Sequence, residues 1–199
     1  MKIKDAKPIY YANRKELVEQ MRRLSKQKEE AEKNYQRTGE SGFSDHAATL
    51  ELSINATKEA FEENQKVIDS IMEQWSNVSN MESSKQQGEA MEEAVEDMGK
   101  VMMVFRRLAH GDIVPITDER KLMEYDDKMY QVAKNMQLLA QQMEKDREKH
   151  KSLWKDEEKE APEDPMEIAD NTEYAGELPN IEIPAVPASA PAEGDAVTE

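Results

Sequence analysis

Apolar residues recur three and four positions apart through most of this chain, the spacing that lines one face of an α-helix. The densest run lies between Met91 and Met143. On one arm, Met91, Val95, Met98, Met102, Phe105 and Ala109 follow one another at steps of 4, 3, 4, 3 and 4. On the other, Leu122, Tyr125, Met129, Val132, Met136, Leu139 and Met143 continue the same rhythm. Between the arms lies His110-Gly-Asp-Ile-Val-Pro-Ile-Thr-Asp118, with a helix stop at Gly111 and a capping residue at Thr117 or Asp118. The pattern predicts an antiparallel helical hairpin zipped along one seam, with Met98, Met102, Phe105, Met129 and Met136 in the zip. Its second helix should run to about Trp154.

The earlier part of the chain repeats the theme. Asn13 with Glu16 reads as a capping box, so a first helix is expected from residue 13 to about 37, after an extended lead-in over 1–12. Ile9-Tyr10-Tyr11 should pack under that helix start. Leu17, Met21, Leu24, Lys28, Ala31 and Tyr35 form its seam, and Lys28 can keep its ammonium wet while its stem packs. A turn with two glycines spans 38–45. Ala47, Leu50, Ile54, Thr57, Phe61, Asn64, Ile68, Ile71, Trp75 and Val78 then alternate in steps of 3 and 4. Asn64 on that seam either fixes register or sits wet at a thin edge. From 77 to 89 the rhythm fails, and it resumes at Met91 one residue out of phase. No proline and only Gly88 interrupt this stretch, so one continuous but weakened helix is expected; a break here would make four helices of three.

Composition changes the picture at the C-terminal end. Hydrophobic residues make up 37% of the chain and charged residues 35%. That mix suits long, thin helical packing rather than a thick core. The net charge is −16, and residues 155–199 carry 2 Lys against 14 Asp and Glu. That segment is also rich in Pro and Ala, and a disordered acidic tail is expected there. Residues 1–37 are the basic part, with 11 Lys and Arg against 6 Asp and Glu. Two sites near or within the tail read as linear motifs. Trp154 beside an acidic run suits an interface anchor. Leu178, Ile181, Ile183 and Val186 form a short apolar segment able to join a partner's sheet edge.

Residue chemistry narrows the functional classes. There is no Cys, which excludes disulfides and thiolate metal sites. His46, His110 and His150 lack the Glu-x-x-His and His-x-x-x-His spacings of helical metal sites. No phosphate-cradling glycine loop, nucleophile elbow or calcium loop is present. No cofactor, metal or catalytic residue is therefore expected, and the chain is read as a non-enzyme. The acidic balance argues against nucleic acid as a partner. No apolar run reaches membrane-spanning length, and a cytoplasmic location is expected.

The reading is an all-α, antiparallel coiled-coil-like bundle: a lead-in over 1–12, helices over 13–154 and a disordered tail over 155–199. It points to a scaffold or adaptor that binds a protein partner or a second copy of itself. Its candidate contact residues are Met98, Met102, Phe105, Met129, Met136, Trp154, Leu178, Ile181 and Ile183. The alternative is a small acidic chaperone or assembly factor holding a client on a Met-rich seam; an enzyme with a site invisible in sequence is the third option.

Overall fold

The computed structural model describes residues 1–143, 147–154 and 161–187. Among them the fold is all-α. Five helices are present, α1 (Ile3–Thr38), α2 (Ser41–His110), α3 (Ile116–Tyr125), α4 (Asp127–Gln142) and α5 (Pro165–Asn171), with two isolated β-bridges and no strand. The chain packs as two compact units, Met1–Glu82 with Glu163–Glu199, and Ser83–Pro162. Helix α2 contributes to both and is unbroken through 77–89, as expected.

In the first unit α1 and the early part of α2 form an antiparallel hairpin. The turn follows from Gly39, whose φ of 73° lets its N–H reach back to the Tyr35 carbonyl at 2.8 Å and end α1. Near the turn, Leu24 and Ala31 bury against Ala47 and Leu50. At the far end, Ile3, Ala6, Tyr10 and Leu17 pack with Val67, Ile68 and Ile71. The two ends are joined by buried polar residues. Thr57 and Asn64 are fully enclosed, and the Asn64 side-chain amide donates to the Tyr10 carbonyl at 3.0 Å. Lys28 pairs across the hairpin with Glu51 and along its own helix with Glu32. The carboxylate of Glu51 and its hydrogen bond raise the Lys28 pKa.

Two expectations about this unit need correction. The extended lead-in over 1–12 is helix from Ile3 onward, and Asn13 lies inside α1 rather than capping it. Pro8 breaks no helix there because the first turns are held from outside: Ile3 donates its N–H to the Thr172 carbonyl at 3.0 Å, and Ile3, Ala6 and Tyr10 are buried. What holds them is the second correction. Residues 161–187, expected as part of a structureless tail, carry α5 and a packed strap. Asp164 caps α5 through the Met166 N–H, and Pro165 opens it. The strap then follows the α1–α2 groove. Lys7 pairs with Asp170, Tyr10 donates to the Pro179 carbonyl and Gln20 to that of Pro184. On the α2 side, Gln74 bonds the backbone at both Glu173 and Ala175. The remaining tail positions, 155–160 and 188–199, lie outside the described residues.

The second unit is built from the end of α2, α3, α4 and residues 147–154. Gly111, with φ of 102°, terminates α2: its own N–H bonds the Leu108 carbonyl, and the Asp112 N–H bonds that of Arg107. That pair of bonds is a Schellman motif. Val101, Val104 and Leu108 of α2 meet Val114, Leu122 and Ala133 in the core. The expected last helix is two helices, broken at Asp126, whose carboxylate caps α4 by accepting the Met129 N–H. It also stops at Gln142, short of the expected Trp154, and residues 147–154 cross the α2–α3 loop without helix.

Candidate interaction surfaces

Buried acids organise the loop end of the second unit. Asp112, next to the Gly111 stop, is 6% exposed. Its two carboxylate oxygens take ring N–H groups from His110 and His150, each at 2.9 Å. Burial opposes its charge, but those two bonds, the Glu148 N–H and the nearby His110 outweigh it and hold the carboxyl at about 2. Asp118, fully enclosed, accepts from the Ser152 hydroxyl at 2.6 Å and the Leu153 N–H at 3.0 Å. Backbone bonds between Ile113 and both Glu148 and His150 complete the clasp. Together these pin residues 147–154 to the loop. Sequence reading missed this cluster because His110 and His150 are 40 positions apart; the one available signal was a carboxylate placed directly after a helix-stopping glycine. Among the described residues no group of three or more His, Cys, Asp or Glu is arranged to hold a metal ion. The clasp is a fastening.

The predicted seam residues take up different roles. Phe105 and Met129 pack at the edge of the second core, and Met102 is half-buried. Met98 and Met136, expected to face each other, are 51% and 45% exposed. In the second unit the buried positions of α2 are Val101, Val104 and Leu108, one residue out of phase with the expected seam. Opposite them α4 presents Ala133 and Ala140, and a Cβ on Gly111 would lie 3.0 Å from that of Ala140. Small residues let the backbones approach there, and Val132, Met136, Leu138 and Leu139 of α4 are turned outward.

The expected docking motifs near the tail are occupied by the chain itself. Trp154 is half-buried on the second core, and its indole N–H donates to Asp97 at 3.1 Å. Ile181 is buried in the first core, with Leu178 and Ile183 packed beside it. They cover the hairpin instead of projecting toward a partner's sheet.

Two apolar stripes remain uncovered by described residues, both in the second unit. On α2 they are Met91, Val95 and Met98; on α4 and its C-cap, Val132, Met136, Leu139 and Met143. No residue of α2 from 83 to 100 is buried. None of the described helices is long and apolar enough to cross a membrane. Comparisons with protein-family models, curated proteins and solved structures find no match.

Proposed function

We propose that this chain is a non-enzymatic interaction protein, a helical adaptor or scaffold that docks protein partners on the outer faces of its second unit. One observation carries the reading: apolar side chains at helical spacing stand in solvent on α2 and α4, with Met91 72% and Leu139 60% exposed. Contiguous apolar surface of this kind marks interaction sites. Methionine suits it, because an unbranched thioether adapts to partners of different shape. The test is affinity capture with the intact chain and with Met98→Glu and Met136→Glu variants whose helicity is checked by circular dichroism. A partner retained by the parent chain and lost by a folded variant is the expected result. An identical captured set from all three would overturn the reading.

The same methionines support a second reading, a chaperone or assembly factor that holds a client helix. The two separate by hydrogen exchange. A client-holding factor gains protection along 83–100 only when client is added, whereas an adaptor fastened to a permanent partner is isolated with that protection already present.

A further inference from the structure

The α2 stripe has a charge pattern that selects its occupant. At about 100° per residue, Met91, Val95, Met98 and Met102 fall within roughly 60° of one another around the helix. The face that the unit's own core covers, at Val101, Val104 and Leu108, is centred roughly 115° to one side. On the other side, roughly 100–160° from Met91, stand Glu89, Glu92 and Glu96. The apolar stripe is thus bounded by the protein's own core on one flank and by carboxylates on the other. Residues 83–100 hold five acids against two lysines.

Two glycines lie between the stripe and the carboxylates. Gly88 and Gly99 sit inside an unbroken helix, where glycine is a poor choice. Neither has a positive φ, and a Cβ at either would meet nothing within 4 Å. Nothing among the described residues requires them. A second backbone laid close against the helix would.

We infer that the Met91–Met102 face of α2 receives a basic amphipathic helix from a partner protein, its apolar side seated on the methionines and its Lys or Arg side chains reaching Glu89 and Glu92, while Glu96 already pairs with Lys100 at 3.0 Å. This deepens the interaction reading above and rests on it. A second copy is the poorer occupant: its matching face carries the same acids, and the apolar face of its basic helix, with Leu17, Leu24 and Ala31, is already buried against its own α2. The tail, with 2 Lys against 14 Asp and Glu over 155–199, is acidic as well.

The experiment titrates the full chain into a fluorescein-labelled 18-residue Leu/Lys peptide whose leucines recur three and four apart. Controls are a scrambled peptide of the same composition and an analogue with Glu in place of Lys, all read by anisotropy at low and high salt. The amphipathic basic peptide is expected to bind at least about tenfold more tightly than either control, and Met98→Glu to weaken it by a similar factor. Glu89→Gln with Glu92→Gln should weaken it about threefold or more and flatten its salt dependence. Gly99→Ala should raise the thermal stability of the chain alone yet weaken the complex, an opposition that no purely structural role for the glycine produces. Equal binding of the scrambled peptide, or indifference to Met98→Glu, overturns the inference. Preference for the acidic analogue, or a dimer in light scattering that Met98→Glu dissociates, also overturns it while leaving the interaction reading standing. A monomer that binds none of the peptides and captures no partner removes both.

Discussion

Asp112 concentrates its effect in one carboxylate. Its folded-state pKa lies at about 2, below the ordinary 3.8, because two histidines and a backbone N–H favour the charged form despite burial. An acid with a depressed pKa stabilises the fold above its unfolded value and loses that contribution as pH falls through the folded one. Its share of stability is therefore complete above pH 3.8 and disappears toward about pH 2. Asp112→Asn keeps the shape and removes the charge. It is expected to cost about 1.5–3 kcal/mol at pH 7, with the gap to the parent protein narrowing between pH 4 and pH 3 in urea titrations. A gap that stays constant over that range would mean the histidines do not depend on the charge. The phase of the α2 core is tested by two positions on different faces of the helix. Leu108→Ala is expected to cost about 2–5 kcal/mol. Met98→Ala, already half in solvent, should stay within about 0.5 kcal/mol in the same denaturation assay. The reverse order would restore the seam that the sequence suggests.

Among the elements, legibility followed how many faces of a helix carried apolar residues. The early part of α2 has one such face, and its seam from Ala47 to Ile71 is the face buried against α1. The late part has two. Met91, Val95, Met98 and Met102 compete with Val101, Val104 and Leu108, and periodicity measures spacing without saying which face turns inward. The residues that decide it are small. Gly111 and Ala140 nearly touch, and a reading weighted toward large side chains passes over them. The strap was illegible for another reason. Its hold on α1 combines backbone bonds, from Ile3 to Thr172 and from Tyr174 to Met1, with side-chain bonds from Tyr10 and Gln20 to its carbonyls, none of which leaves an apolar periodicity, and its acidic, proline-rich composition resembles that of unfolded segments. Its one well-buried aliphatic side chain supplies the test. Ile181→Ala is expected to destabilise the first unit by about 2–5 kcal/mol. Val186→Ala, exposed at the strap's end, should change stability by no more than about 0.5 kcal/mol. Equal, small effects would show that the strap adds nothing to the core beneath it.

For the whole molecule, the all-α class was plain from the 3–4 rhythm and the scarcity of glycine and proline before residue 160. The division into two units was not, because α2 runs through both without a break that composition could mark. Each unit has its own core, with Ile71 in one and Leu108 in the other. Side chains that share no partners act independently. Ile71→Ala combined with Leu108→Ala is therefore expected to lose the sum of the single effects to within about 0.5 kcal/mol in equilibrium denaturation. A coupling above about 1 kcal/mol would point to one shared core.

The order in which the chain leaves the ribosome gives the strap a further consequence. Helices α1 and α2 emerge first, and Ile3 and Tyr10 must wait for Ile181. At about 5–20 residues per second, the delay is roughly ten to thirty seconds. Once Ile71 has emerged, the nascent hairpin shows an open apolar end, and that end stays uncovered until the segment carrying Ile181 reaches it.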